Sequence, residues 1–220
     1  MANEGKVGPT PAGSPLLAAH RYSVTAMTLH WLIALLIFVQ ICLGWYMNEV
    51  LPDHSPAQAN IESIHISLGL TILMLVLARI VVRLIYRPPP LPAGLAPWER
   101  YLAHTSHLVF YILMLAMPLT GWALVSMGNK PISFWGLPWP HLPGVAMIFG
   151  ASPPKPVRHE LSHIHVYILI WIVLINLALH VAGALKHQFD GNPVLWRMTP
   201  LKPPQTSVSA GASRPNLTSR

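Results

Sequence analysis

The sequence predicts an all-α integral membrane protein, a four-helix bundle. Four apolar stretches each reach the ~20 residues that a helix needs to cross ~30 Å of hydrocarbon. Only 10% of the 220 residues are charged and 53% are hydrophobic, whereas an ordinary soluble domain carries about 25% charged residues. The links between the stretches are rich in proline, which stops helices.

Residues 1–21 contain Gly, Pro, Ala and Ser without helical periodicity and are expected to form a mobile tail. The first apolar run then begins, too late and too long for a signal peptide. It spans Val24 to Met47 and contains no Asp, Glu, Lys or Arg. The second spans Ile64 to Tyr86 and is interrupted by Arg79 and Arg83. The third spans Leu102 to Met127 and contains Pro118, which removes one backbone hydrogen bond and is expected to bend the helix. The fourth spans Leu161 to Leu185 and carries His163, His165 and His180. Between the last two runs, Lys130 to Pro156 is too proline-broken for a helix and is expected to form an ordered cap, with Trp135 and Trp139 at the membrane interface. Residues 22–200 form the transmembrane domain, and 201–220 return to a polar, disordered composition.

Composition excludes several functions. Low charge rules out a disordered chain. The single Cys42 excludes an internal disulfide framework, a cysteine-ligated iron–sulfur cluster and a covalent CxxCH haem site. The net charge of +7 is not a nucleic-acid signal, because the basic residues flank the apolar runs and form no single patch. They work as orientation signals. Lys6, Arg21, Arg83, Arg87, Arg100, Lys186, Arg197, Lys202, Arg214 and Arg220 fall on one side of the membrane, against Lys130, Lys155 and Arg158 on the other. The positive-inside rule then puts both termini in the cytoplasm, and in a bacterium the opposite face is the periplasm.

Ionisable groups inside a membrane are costly and are functional candidates by default. Sorted by depth, His30 and His180 share the cytoplasmic level, and His65 and His165 share the periplasmic level. His104 and His107 stand at the start of the third run. His165 and His180 are ~22 Å apart along one helix, too far to serve one metal ion. Two flat macrocycles, each held by two imidazoles from different helices, account for this pattern. Two axial histidines leave no open position on an iron, which suits electron transfer rather than oxygen binding. A lone intramembrane histidine can instead be polar glue between helices, but two pairs matched in depth on three helices argue against that. His163 competes with His165; two residues apart, the two point to different faces and cannot serve one site. Arg79 lies ~10 Å deep, near the level of His180. It either holds a carboxylate, such as a haem propionate, or snorkels to the surface. The tryptophans and tyrosines near run ends fit an interfacial belt, and the methionines fit packing.

Several segments resemble the bacterial cytochrome b561 family of four-helix, di-haem membrane proteins. Thr28-Leu29-His30-Trp31-Leu32 resembles its first helix, and Ser63-Ile64-His65-Ile66-Ser67-Leu68-Gly69 its second. Ala103-His104-Thr105-Ser106-His107 and Pro118-Leu119-Thr120-Gly121-Trp122 resemble its third. His180-Val181-Ala182-Gly183-Ala184-Leu185-Lys186-His187 resembles the end of its fourth, and Leu195-Trp196-Arg197-Met198-Thr199-Pro200 its tail. The resemblance implies two b-type haems, one on His30 and His180 and one on His65 and His165. The family pattern spaces the two fourth-helix histidines one residue closer, which keeps His163 open. It also implies oxidoreductase activity like that of superoxide oxidases, passing electrons from superoxide at the periplasmic face to ubiquinone. Lys130, Lys155 and Arg158 would attract the anion, or serve only loop solubility. The alternative is a cytochrome b anchor that relays electrons between a periplasmic dehydrogenase or hydrogenase and the quinone pool. A metal or proton transporter is a third class, but the runs lack the intramembrane acidic residues of such relays. The expected partners are membrane lipid, ubiquinone, superoxide or a periplasmic dehydrogenase, with no nucleic acid.

Overall fold

The computed structural model describes residues 21–86, 88–91, 94–128, 130–150, 154–190 and 194–199. The expected tails, 1–20 and 201–220, lie outside them. Arg21, which the sequence reading assigns to the first tail, belongs to the bundle, because its guanidinium donates to the Thr199 carbonyl.

Four helical spans are long and apolar enough to cross a membrane. They are α1 (Val24–Glu49), α2 (Pro56–Ile85), α3 (Pro97–Ser126) and a fourth span made of α4 and α5. Here α4 is Lys155–His163 and α5 is Ile170–Phe189, joined by a π-helical turn over Ile164–Leu169. A hairpin of β1 (Ile132–Phe134) and β2 (Leu137–Trp139) and a separate short helix (Val145–Phe149) connect α3 to the fourth span. That short helix is the one helical piece in a segment the sequence reads as too broken for any.

Three of the four spans start earlier than their apolar runs, while α1 starts at Val24 with its run. Ser55 caps α2 by accepting the Gln58 amide at 3.1 Å, and Pro56 fits the first turn, where no amide partner is needed. Pro97 opens α3 in the same way, and the Glu99 carboxylate accepts the Ala96 amide at 2.9 Å. Hydropathy measures the hydrocarbon thickness, whereas capping chemistry sets the helix end. The polar first turns therefore stand outside the apolar run. α3 continues unbroken through Pro118.

Neighbours in sequence pack on each other: α1 on α2, α2 on α3, and α3 on the fourth span. The tightest packing is between the first three, where Ile33, Leu68, Ile72 and the fully buried Val76 meet Leu36, Met114 and Leu115. Many apolar residues point outward, including Phe38, Leu77, Ile112 and Ile175. This is the surface a lipid solvent requires, because only the backbone must be satisfied internally. Two polar contacts fix the packing. Ser106 of α3 donates to Asn176 Oδ1 of α5 at 3.0 Å, and Asn176 Nδ2 returns a bond to the Ser106 carbonyl at 3.1 Å, both side chains buried. The hairpin docks on α2, where Ser67 Oγ accepts the Trp135 amide and Thr71 Oγ1 accepts the Trp135 indole N–H, both at 3.0 Å. At the end that carries both termini, the segment Leu195–Met198 folds back on α1, and the Met198 carbonyl accepts the Trp31 indole N–H.

Asn176→Ala should destabilise the bundle by about 1 kcal/mol, the scale of buried hydrogen bonds between membrane helices. A lower unfolding midpoint in denaturing detergent checks this; an unchanged midpoint would show that the pair adds nothing.

Candidate functional site

The histidines meet in two groups at opposite ends of the bundle. At the terminal end, His30 of α1 faces His180 of α5 with ring centroids 6.3 Å apart and planes at 63°. At the hairpin end, His65 of α2 faces His165 of the π turn at 6.4 Å and 79°. Two imidazoles that share one metal ion from opposite sides, each nitrogen about 2.0–2.1 Å from it, hold their centroids about 6–6.5 Å apart. Both pairs have this span. Among the described residues, no three His, Cys, Asp or Glu side chains converge to enclose a bare metal ion. A metal held here would need its remaining ligands from a non-protein group, as a macrocycle provides.

The pairs face each other across open space, because neither α1 nor α2 packs extensively on α5. Glycines make that space. A Cβ on Gly44 would come within 3.3 Å of the His65 ring, and one on Gly121 within 3.2 Å of the His165 ring. Either substitution would push a ring from its place. The His65 Nδ1 is buried with no hydrogen-bond partner in the chain, while the His65 carbonyl accepts from Gln40 Nε2 at 2.9 Å.

The rings are also set in tautomer. The Thr120 hydroxyl donates to the backbone carbonyls of Ala116 and Met117, at 2.8 and 2.9 Å. It must therefore accept from His165 Nδ1, 2.8 Å away. His165 then carries its proton on Nδ1 and offers an Nε2 lone pair, as a metal ligand must. His163 is exposed and stacks on Tyr167 with centroids 5.3 Å apart, away from His65. The structure thus brings His65 together with His165 and leaves His163 outside.

The terminal-end group is larger than the sequence reading foresaw. His107 of α3 lies 5.4 Å from His180, with its Nδ1 donating to the Ala103 carbonyl at 2.7 Å. Reading α3 from Leu102 put His107 at the membrane edge. Because α3 begins at Pro97, His107 lies ten residues inside the helix, at the level of His180. Its centroid distance is shorter than the span of two imidazoles on one ion, so His30 is the better partner for His180. Arg79 neither snorkels nor stands alone. It donates to the Ala26 carbonyl at 3.1 Å and lies 3.4 Å from His30 Nδ1. It also lines a cavity of about 440 Å³ with Arg21, Arg83, Tyr22 and Tyr111, where Arg83 stacks over the Tyr111 ring. Among the described residues, no carboxylate lines this cavity. An arginine has no acceptor, so a hydrogen bond from Arg79 to His30 Nδ1 needs that nitrogen unprotonated. Thr120 and Gly121 lie in the third-helix segment that resembles the family, but their roles beside His165, like that of Gly44 beside His65, become legible only when the facing helix is known.

Comparison with known proteins agrees with this geometry. Residues 21–201 match the family model for prokaryotic cytochrome b561. The chain is 31% identical to cytochrome b561 homolog 2 of Escherichia coli K12, over 81% of this chain and 90% of that protein. It is 32% identical to a probable superoxide oxidase, CybB, of Yersinia pestis, over 83% of this chain and 97% of that protein. Cytochrome b561 homolog 1 of E. coli K12 is 26% identical over 82% of this chain and 98% of its own length. The chain belongs to the prokaryotic cytochrome b561 family of membrane electron-transport cytochromes, which implies b-type haem. Paired imidazoles at the span of one metal ion, with glycine clearance beside the rings, fit such a group.

Thr120→Val keeps the volume and removes the acceptor for His165 Nδ1. Loss of such an outer partner typically costs about 10–100-fold in affinity. Haem at the hairpin-end level should bind more weakly and titrate at a higher potential, since the imidazole becomes a poorer donor to ferric iron. A potentiometric titration that leaves both midpoints unmoved would deny Thr120 this role.

Proposed function

We propose that this chain is a di-haem b-type cytochrome of the bacterial inner membrane that passes electrons from superoxide to ubiquinone. The observation that carries the reading is the presence of two imidazole pairs, at 6.3 and 6.4 Å, at opposite ends of one bundle. Haem b, when bound, supplies a one-electron carrier at each level. His30 and His180 hold one iron, and His65 and His165 the other. With two imidazoles at each level, a bound haem would have no protein-side opening for oxygen, which suits moving electrons rather than binding oxygen.

Orientation follows from charge. The terminal end, with Arg21, Arg83, Arg100, Lys186 and Arg197, faces the cytoplasm, and the hairpin end faces the periplasm. The three exposed cations of the hairpin end, Lys130, Lys155 and Arg158, favour approach of a small anion such as superoxide. Superoxide gives up one electron and leaves as dioxygen; ubiquinone takes two electrons and two protons to become ubiquinol. Arg79, which lines the cavity beside His30, would pair with a haem propionate at the cytoplasmic level.

The test is direct. Purified protein mixed with superoxide and a short-chain ubiquinone should show rapid haem reduction followed by ubiquinol formation. No reaction, together with recovery of a bound dehydrogenase, would replace this reading with that of an anchor subunit. His30→Ala and His180→Ala should each remove one spectral component, and His65→Ala and His165→Ala the other, with His163→Ala silent. Loss of the same component from His30→Ala and His65→Ala would break the pairing. Arg79→Leu should lower the haem content or shift the midpoint at the cytoplasmic level alone; unchanged occupancy and potentials would deny Arg79 the propionate.

A further inference from the structure

The fourth span is not one regular helix. Its π turn covers Ile164–Leu169 and contains His165, between an α-helical start and an α-helical end. A π turn accommodates one residue more than the α turn it replaces, so it acts as a one-residue insertion within a helix. An α-helix advances about 100° per residue, so each inserted residue rotates everything before it by about that amount.

The directions of the side chains can be counted from His180. Asn176, four residues earlier, lies about 40° to one side, and this is the side that bonds Ser106 of α3. Val173, seven residues earlier and buried, lies about 20° to the other side. In an unbroken α-helix, His165 would lie about 60° round on the Asn176 side. The π turn moves it to about 40° on the opposite side. There its ring passes over Gly121, rests its Nδ1 on Thr120 and faces His65. The same rotation carries His163 to about 160° from His180, the outward side, and His163 is indeed exposed.

We infer that the π turn at Ile164–Leu169 is a ligand-positioning device, which swings His165 by about 100° into register with His65, over Gly121 and Thr120, while His180 and Asn176 keep their directions. The inference rests on the proposed pairing of His65 with His165. It makes a counterintuitive demand, that the span is one residue too long for a regular helix and works because the surplus is stored in the turn. Tyr167 is exposed and makes no contact with the facing histidines, so it can be removed without touching the site.

Deleting Tyr167 should let the span close into a regular α-helix with His165 in its present direction. Haem content and both spectral components should stay as in the parent protein. Deleting Tyr167 and Ile168 together should rotate His165 by a further ~100° and remove the His65–His165 component alone. If the Tyr167 deletion itself abolishes that component while the His30–His180 component persists, the π turn is not a store of one residue and the inference falls. Deleting Ile168 instead gives the same geometry at a second site. If both single deletions also lose the His30–His180 component, the surplus residue is not dispensable and the inference falls as well. His165→Ala, run beside them, separates the two levels of the argument: if it leaves both components in place, the pairing itself is wrong.

Discussion

The separation of two imidazoles is the constraint on which the rest of this molecule depends. Each pair stands at 6.3–6.4 Å between ring centroids, the span of two imidazoles on one metal ion, and each pair draws its members from helices that do not pack extensively on one another. The bundle therefore cannot be close-packed throughout. It is tight where α1, α2 and α3 meet around Val76 and Ile72, and open where α5 faces α1 and α2. An open interior in a membrane protein would collapse if adhesion were apolar only. The distance is kept instead by discrete polar ties at the margins: Ser106 with Asn176, Trp31 with the Met198 carbonyl, Trp135 with Thr71, and Lys186 with Glu99.

The two levels are built differently. At the hairpin end the site is preset. Glycines on α1 and α3 clear the rings, Thr120 fixes one tautomer, and the other ring keeps an unpartnered nitrogen. At the terminal end the site is crowded with cationic and imidazole groups. His107, Arg79, Arg83 and Arg21 gather at this end, and Arg79 lies 3.4 Å from His30 Nδ1. Two levels with such different outer partners and local charge should hold their groups with different affinities and potentials, because outer partners and local charge tune both.

Much of this was legible in the sequence, for a physical reason. A histidine, an arginine and a hydrocarbon-length run are each expensive or conspicuous in a membrane, so depth alone sorts His30, His65, His165, His180 and Arg79 into levels. Other features were not legible. The run from Leu102 hid the true start of α3 at Pro97, because capping turns are polar, and this placed His107 at the membrane edge. The choice between His163 and His165 depends on a π turn, and no residue between Ile164 and Leu169 announces one. Gly44, Gly121 and Thr120 are ordinary helix residues until the facing ring is known. Cytochrome b561 homolog 2 of E. coli and CybB of Y. pestis are about one-third identical to this chain, so the family carries the cofactor type further than it carries the donor or the acceptor.

The central claim is that each chain holds two haems, each between two imidazoles. Counting haem per chain chemically in the purified protein, with low-temperature electron paramagnetic resonance on the same oxidised sample, tests it most directly. The account predicts two haems per chain, both low-spin with the signature of two imidazole ligands, and near-perpendicular ring planes as in the 63° and 79° pairs. One haem per chain, or a high-spin signal from an iron with an open axial position, would contradict it.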